Sequence, residues 1–242
     1  MWAIFKKDFS SFWYSLIGYL VILIFLTGNG MFIWVLPDTN VLEYGYANLD
    51  TLFTFGPYLL LFLVPAVTMK SLAEERKTGT IELLFTKPLK DMEIILGKYL
   101  ACLCLVGVAM LPTLTYYISI YYLGNPVGNI DSAGCMGSFL GLFLLGAVFV
   151  SIGIFASSLT DNQILSFVVS LVLCFFIYQG IDLISGISES GQVSFFIHQL
   201  GIGAHYHSFS KGVLDSRDIL YFLVVVVLFL QGTKLKLESR NW

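Results

Sequence analysis

The sequence predicts an all-α integral membrane protein with six membrane-spanning helices, and three observations carry this prediction. Hydrophobic residues make up 57% of the chain and charged residues only 12%, about half of the charged share that is usual in soluble domains. Six stretches without Asp, Glu, Lys or Arg have roughly the length that a helix needs to cross a bilayer. If these stretches alternate in direction, eleven of the thirteen Lys and Arg residues fall on one side of the membrane.

The predicted spans follow the charge-free stretches. They cover residues 12–36, 51–69, 99–123, 134–157, 163–185 and 219–234. The last stretch is short, but Lys234 and Lys236 can extend their long side chains toward the interface and so lengthen the usable apolar segment. No internal repeat or domain boundary is visible, so residues 1–242 are expected to form one membrane domain. No cleavable signal peptide is expected, because bulky residues follow the first apolar run.

The placement of the basic residues predicts the orientation. With both termini in the cytoplasm, only Lys211 and Arg217 lie on the outer side. The aqueous parts are then a charged cytoplasmic loop, residues 70–98, and an outer segment, residues 186–218.

The N-terminal residues predict an amphipathic helix over residues 2–13 that lies in the membrane interface. Aromatic side chains recur there at helical spacing, with polar side chains on the opposite face. The candidate residues of this interfacial helix are Trp2, Phe5, Lys6, Lys7 and Phe9. Two interpretations remain open, a lever that leads into the first span and touches a cytoplasmic partner, or a plain membrane anchor.

The charged loop carries an apolar helix where water is expected. Gly79 permits a sharp turn, Thr80 is a candidate N-cap, and Glu82 suits the positive end of a helix dipole. A short helix over about 81–86 must end before the following proline. Its bulky apolar side chains are those of Ile81, Leu83, Leu84 and Phe85. These side chains either enter the groove of a partner protein or pack on the membrane or the chain's own bundle.

This loop resembles the second cytoplasmic loop of type-2 ABC permeases. The resemblance is carried by residues 74–88, Glu-Glu-Arg-Lys-Thr-Gly-Thr-Ile-Glu-Leu-Leu-Phe-Thr-Lys-Pro, and by residues 94–98. In that family the loop contains the coupling helix, which docks in the ATPase subunit. The resemblance implies that residues 80–85 form this helix and that an arm, which contains residues 74–76, precedes it. The implied coupling residues are Glu74, Glu75, Arg76, Gly79, Thr80, Ile81, Glu82, Leu83, Leu84 and Phe85.

Two further segments carry similarity. Residues 5–9 resemble the N-terminal interface helix of the same family, although Ser15-Leu16 stands where the family often has Ser-Pro. Residues 207–222 are similar to the segment before the last span in the gliding-motility-associated permease subunits of Bacteroidota. Together the resemblances imply an all-α membrane permease bundle with a cytoplasmic coupling helix, in a bacterial inner membrane, that serves as the permease subunit of an ABC exporter.

The sequence predicts that this chain is not itself an enzyme. It contains no G-x-x-x-x-G-K-[ST] phosphate loop, so no cofactor is expected on it, and ATP and Mg²⁺ would be bound by a partner ATPase. The expected partners are a cytoplasmic ABC ATPase subunit, a second permease that is either another copy or a related subunit, and the lipid bilayer. An auxiliary membrane protein is a further candidate partner, and nucleic acid is not expected.

Three rival functions differ in what they require of the sequence. A non-transporting scaffold that anchors an ATPase in a gliding-motility or secretion machine would have the same loop. A membrane-embedded lipid enzyme would need clustered polar catalytic residues, which the sequence does not show. A secondary transporter generally needs ionisable groups deep in the membrane, and only Asp182, at the outer end of the fifth span, comes close. The three histidines, His198, His205 and His207, lack the cysteines or carboxylates that would complete a metal site.

Helix kinks are predicted at Pro57, Pro65 and Pro112, because each proline removes a backbone hydrogen bond. They either convert movement of the loop into opening of a gate or only curve the helices. Small residues recur along the fourth span, including Gly141 and Gly153, and allow close helix packing. Whether they pack within one chain or between subunits is left open.

Overall fold

The structure, a computed structural model, describes residues 1–85, 89–187, 199–212 and 215–239, with the exception of five side chains inside these ranges. Every regular element in these ranges is a helix, and six helical stretches are long and apolar enough to cross a membrane. These six stretches are Leu16–Trp34, Asp50–Lys77, Asp91–Leu123, Ser132–Leu159, Gln163–Ser185 and Ser216–Glu238. The predicted all-α bundle with six membrane helices is therefore confirmed.

The α-helices are numbered in chain order. They are α1 (Trp2–Tyr14), α2 (Leu16–Trp34), α3 (Val41–Tyr44), α4 (Asp50–Thr68), α5 (Ala73–Lys77), α6 (Thr80–Phe85), α7 (Asp91–Met110), α8 (Leu114–Leu123), α9 (Ser132–Leu159), α10 (Gln163–Phe175), α11 (Ile181–Ile187), α12 (Ile202–Ser210) and α13 (Ser216–Glu238). A 3₁₀ turn, Leu111–Thr113, joins α7 to α8, and a π-helical segment, Phe176–Gly180, joins α10 to α11.

Helix α9 is the centre of the bundle. It packs against α4, α7, α10, α12 and α13, and 72% of its most apolar stretch is buried. The small residues on α9 make this packing possible, since an added Cβ on Gly141 would collide with Phe209 and one on Gly153 would collide with Thr68. The open question about these small residues is thereby answered, because both of them pack against other helices of the same chain.

The first membrane helix begins later than the predicted residue 12. The chain turns at Ser15, which has an extended backbone, and the Ser15 hydroxyl accepts a hydrogen bond from the Ile17 amide at 3.2 Å. This cap starts α2 at Leu16 and ends α1 at Tyr14. The polar residue before the apolar run thus separates the N-terminal helix from the first membrane helix.

Two other helix starts also differ from the predicted spans, whereas the fifth stretch, Gln163–Ser185, coincides with its predicted span. The third helical stretch begins at Asp91 instead of 99, because the Glu93 carboxylate accepts a hydrogen bond from the Lys90 amide at 3.2 Å and so closes the helix start. The sixth begins at Ser216 instead of 219, because the Asp215 carboxylate caps the amide of Arg217 at 2.9 Å. In both cases a side-chain cap adds polar turns outside the apolar core of the span.

The three prolines act differently. Helix α4 continues through Pro57 and Pro65, both of which are buried. At Pro112 the α-helical pattern changes to the 3₁₀ turn between α7 and α8. Only the third membrane stretch is therefore interrupted at a proline, while the interruption of the fifth is the π-helical segment, for which the sequence carries no proline signal.

We expect Gly153→Ala to destabilise the protein by about 1–3 kcal/mol, because the new methyl group overpacks the contact between α9 and α4. Gly107→Ala in α7 is the matched control, since its added Cβ would meet only Phe143, at 3.4 Å. Removing a helical glycine without a clash favours folding, so the control should be neutral or stabilising. Thermal unfolding in detergent micelles measures both, and equal midpoints for the two variants would contradict a tight contact between α9 and α4 at Gly153.

Candidate functional site

The turn between α4 and α5 is held by a serine from the central helix. The Ser157 hydroxyl oxygen accepts hydrogen bonds from the backbone amides of Leu72 and Ala73, each at 3.0 Å, and its proton is directed to the carbonyl of Met69 at 3.2 Å. The two amides are buried and the carbonyl is partly buried, so all three need hydrogen-bond partners. The position of α5 is therefore fixed relative to the end of α9.

Helix α6 follows α5 after a tight turn. Gly79 has a φ of 70°, in the left-handed region that favours glycine, and an added Cβ there would meet nothing within 4 Å. The turn thus needs glycine for its backbone and not for space. Thr80 is the first helical residue instead of the predicted N-cap, and its hydroxyl donates to the carbonyl of Glu75 at 3.4 Å.

Helix α6 stands out from the bundle. Its main neighbour is α5, and Thr80 and Glu82 are exposed. Ile81 is partly buried against the apolar core, and Leu84 is half-buried. The side chains of Leu83 and Phe85 lie outside the described part of the structure, as does the predicted last residue, Thr86. Among the described side chains of α6, the apolar ones are therefore only partly covered by this chain.

A buried ion cluster joins three elements near this turn. The Lys98 ammonium of α7 lies 3.2 Å from Asp8 Oδ2 of α1 and 2.9 Å from Glu75 Oε2 of α5. Lys7 Nζ contacts Glu75 Oε1 at 3.2 Å. The amphipathic N-terminal helix, the arm before α6 and the start of the third membrane stretch are thus linked through one lysine.

The burial of Lys98 makes this link strong. The Lys98 side chain is only 2% exposed, and an unpaired ammonium in such a place would carry a large desolvation cost. The two carboxylates compensate that charge, and Lys7 supplies a second cation for Glu75. Separating α5 or α1 from Lys98 would leave a buried charge without a partner, so the three helices are expected to keep their mutual positions.

The other side of the arm faces the last membrane helix. Arg76 Nη1 lies 3.8 Å from Asp161 Oδ1, in the short connection between α9 and α10. A cavity of about 390 Å³ opens between this pair, the base of α6 and the end of α13. Of the sequence-predicted coupling residues, Arg76, Gly79, Ile81 and Glu82 line it. Glu74 is exposed and lines a different cavity, next to the ion cluster.

The N-terminal helix α1 presents an aromatic row. Ring centroids are 4.9 Å apart between Trp2 and Phe5, 5.7 Å between Phe5 and Phe9, and 6.1 Å between Phe9 and Trp13. Trp2 is 68% exposed, and Lys6 is also exposed. On another face, α1 buries an isoleucine against α7. One side of α1 thus holds it to the bundle, and its aromatic side is partly or fully exposed.

The opposite part of the structure contains an aromatic and histidine cluster near α12. His205 Nδ1 lies 2.6 Å from Asp218 Oδ1, and the His205 ring stacks on Tyr221 with a centroid distance of 4.0 Å. This carboxylate partner was missed in the sequence because Asp218 lies thirteen residues further along the chain. Within the described ranges no group of three metal-ligating side chains occurs, and His198 lies outside those ranges.

Two further groups tie α12 to the membrane helices. The Tyr206 hydroxyl donates to the carbonyl of Phe53 at 2.6 Å, and burial raises the pKa of the Tyr206 phenol well above its usual range. Gly203 lies so close to the Asp182 carboxylate that an added Cβ would collide with it. Asp182 therefore lies at a helix contact between α11 and α12, where the residues nearest in space come from a distant part of the sequence.

Sequence reasoning missed Asp8, Lys98 and Ser157 as members of the site. Each was visible as a polar residue next to an apolar stretch. However, only the tertiary structure brings residues 8, 75, 98 and 157 together, because they belong to four different helices. The sequence-predicted residues Lys7 and Glu75 are brought together at 3.2 Å.

The six long apolar helices, with the short helix α6 at one end, define an α-helical multi-pass membrane protein. A family model described as "ABC-2 family transporter protein" matches residues 2–233, nearly the whole chain. The chain therefore belongs to the ABC-2 transporter family, the type-2 ABC permeases that its loop resembles. Proteins of this family are membrane transport components that are generally not catalytic themselves. None of the curated proteins compared with the chain matches it significantly.

We expect Lys98→Met to destabilise the protein by about 1–3 kcal/mol, because Asp8 and Glu75 would lose their buried cation and keep only the exposed Lys7 as a partner. The triple variant Asp8→Asn, Glu75→Gln, Lys98→Met should recover part of this loss, since no carboxylate is then left unpaired. Chemical unfolding in detergent micelles measures both free energies.

The matched control is Lys234→Met, which removes an exposed pair with Glu238 at 3.4 Å. Exposed pairs of this kind contribute at most about 0.5 kcal/mol. A Lys98→Met protein as stable as this control would show that the cluster does not hold the three helices together.

Proposed function

We propose that the chain is the permease subunit of an ABC exporter and that α6 docks into a cytoplasmic ABC ATPase subunit. ATP and Mg²⁺ are bound by that ATPase, since this chain has no phosphate loop. A second permease, identical or related, completes the transporter. Membership of the ABC-2 transporter family supports this arrangement.

The observation that carries the proposal is the contrast between α6 and its arm. Helix α6 has six residues, too few to be stable alone, and its described apolar side chains are only partly covered by this chain. The arm that bears it is anchored by Ser157 and by the Lys98 cluster. An exposed helix on a firmly held arm suits the transmission of force from a partner protein.

The contacts give this force two routes into the membrane bundle. One route runs from α6 through Glu75 to Lys98, which moves the third membrane stretch and α1 together. The other runs through the Ser157 hydrogen bonds to the central helix α9. When ATP draws two ATPase domains together, α6 is displaced, and α4 and α7 tilt with it. The transport path is lined by α2, α4, α7 and α10.

The proposed orientation places α1, α5, α6 and the end of α13 in the cytoplasm, at the inner membrane of a bacterium. These elements share one end of the bundle, since Arg76, Glu82 and Lys236 line the same cavity. That end carries most of the basic residues, as the positive-inside rule requires. Both termini are then cytoplasmic, and α1 lies along the inner membrane interface.

A non-transporting anchor for an ATPase in a gliding-motility or secretion machine is the second candidate function. The similarity of residues 207–222 to gliding-motility-associated permease subunits favours it. The two functions differ in their effect on ATP hydrolysis. A transporter reconstituted with its ATPase in liposomes hydrolyses ATP faster when its substrate is added, whereas an anchor shows no such response.

We expect Leu84→Asp to abolish ATPase docking and transport without preventing membrane insertion, because a carboxylate at a half-buried apolar site cannot enter an apolar groove. Co-purification of the ATPase with the tagged chain should fall at least tenfold. Leu42→Asp in α3 is the matched control, since Leu42 is exposed and lies outside the arm. If Leu84→Asp binds the ATPase and transports like the control, α6 is not the docking element.

A further inference from the structure

The imidazole of His205, on α12, forms two hydrogen bonds whose partners are both acceptors. Its Nδ1 atom lies 2.6 Å from Oδ1 of Asp218 on α13, and its Nε2 atom lies 2.9 Å from the backbone carbonyl oxygen of Gln199. A carbonyl oxygen only accepts hydrogen bonds, and so does an ionised carboxylate. Neither of these partners can therefore donate to the ring.

A neutral imidazole cannot satisfy both contacts. It carries one N–H group and has a lone pair on the other nitrogen. With the proton on Nδ1, the lone pair of Nε2 faces the Gln199 oxygen, and with the proton on Nε2, the lone pair of Nδ1 faces the Asp218 carboxylate. One additional proton on the pair removes the conflict. Because a carboxylic acid is ordinarily a stronger acid than an imidazolium ion, this proton belongs on His205.

The immediate surroundings of the ring suit a cation. The Tyr221 ring stacks on His205 with a centroid distance of 4.0 Å, and the face of an aromatic ring attracts positive charge. The Tyr221 hydroxyl is directed elsewhere, since it donates to the carbonyl of Leu200. The side chains of His205 and Asp218 are 21% and 12% exposed, so water screens their attraction only in part.

The charges on the neighbouring elements act in the same direction. Helix α12 packs against α4, α9, the π-helical segment and α13. Besides Asp218, the charged residues of α12 and of the nearby ends of these elements are Asp50, Asp131, Asp182, Asp215, Lys211 and Arg217. Within the described ranges, His205 forms its ion pair with Asp218. Tyrosine side chains there are uncharged near neutral pH, so five carboxylates against two cations favour a positive His205.

The pair joins α12 to α13 next to a cavity. Through Gly203 and Tyr206, α12 forms one wall of a cavity of about 400 Å³, with α4 and the π-helical segment on its other sides. A second contact between α12 and α13 is apolar, because the rings of Phe209 and Phe222 lie 5.8 Å apart. Only the contact through His205 depends on a proton, and His205 lies between the two cavity-lining residues in sequence.

We propose that His205 and Asp218 form a proton-binding site that ties α12 to α13. When the proton is released, the Nδ1–H bond breaks, the electron pair stays on Nδ1 and the proton passes to water, which reaches the partly exposed ring. The lone pair then faces the carboxylate, and this part of α12 separates from α13. Proton binding needs neither an ATPase nor transport, so it is tested independently of the proposed function. Only the side of the membrane that the site faces rests on the proposed orientation.

The protonation of His205 is tested by nuclear magnetic resonance of the purified full chain in detergent micelles, with ¹⁵N at its three histidines. Nitrogen shifts distinguish an imidazolium from a neutral imidazole, and His205→Gln assigns the signals. As the pH rises, the exposed His207 should lose its proton before His205. Asp218→Asn should lower the proton affinity of His205 at least tenfold, because the compensating charge is lost. Loss of the proton by His205 together with His207 in the unchanged chain overturns the proposal.

The tie between the helices is tested by hydrogen exchange of the α12 amides at about pH 5.5 and about pH 8.5, on either side of the range in which histidine ordinarily titrates. After correction for the intrinsic effect of pH, exchange in the unchanged chain should be at least tenfold faster at the higher pH, the loss expected for one charge-assisted hydrogen bond. His207→Gln is the matched control and should show the same acceleration.

Asp218→Asn should exchange equally at both pH values, because its amide can donate to Nδ1 while Nε2 keeps its proton. His205→Gln removes the titrating ring and should abolish the pH response as well. Equal exchange at both pH values in the unchanged chain, or an undiminished acceleration in either of these two variants, overturns the proposal. Thermal unfolding of each variant verifies that it is folded.

Discussion

The burial of one lysine organises the end of the bundle that carries the charged loop. Lys98 directly precedes the apolar part of α7, and its ammonium is kept in the protein interior by Asp8 and Glu75. A buried ion pair contributes little net stability, because desolvation offsets most of the attraction. The ion pair instead fixes the positions of the helices that carry it, because removing either partner would leave the other charge buried without compensation. The cluster of Lys98, Asp8 and Glu75 therefore makes three separate helices move together. An apolar contact, which has no fixed partner geometry, would allow the helices to slide more easily.

The central helix supplies the complementary constraint. The glycines of α9 let α4 and α12 approach closely, and the Ser157 hydroxyl of α9 forms hydrogen bonds with the backbone just after the end of α4. Close packing leaves interiors with few alternative arrangements, so a displacement at one end is passed on as a shift of whole helices. The interruptions at Pro112 and at the π-helical segment lie in the third and fifth membrane stretches, where the backbone hydrogen-bond ladder is least regular. The regular central helix and the two interrupted stretches are thus different elements of the bundle.

The charged end of the bundle also carries the aromatic surface of α1. Helix α1 joins the ion cluster through Lys7 and Asp8, while its aromatic row remains exposed. The cavity beside the cluster lies between these two surfaces. In the proposed orientation α1 lies along the inner membrane interface and is joined to the arm, so the surrounding lipid can act on the arm through α1. The amphipathic helix is therefore more than an anchor in the proposed mechanism.

The sequence by itself determined the number of membrane helices, the amphipathic character of α1 and the existence of an apolar helix after Gly79. These features depend on local composition and on short-range periodicity, which the chain carries in every stretch. Only the tertiary structure decided that Lys98 meets Glu75, that Ser157 caps the arm and that the small residues of α9 pack within the chain. The helix starts at Leu16 and Asp91 also needed the structure, because side-chain caps, and not hydropathy, set them. The physical reason is that contacts between distant residues depend on how helices pack, and hydrophobic patterning specifies a buried face without specifying its neighbour.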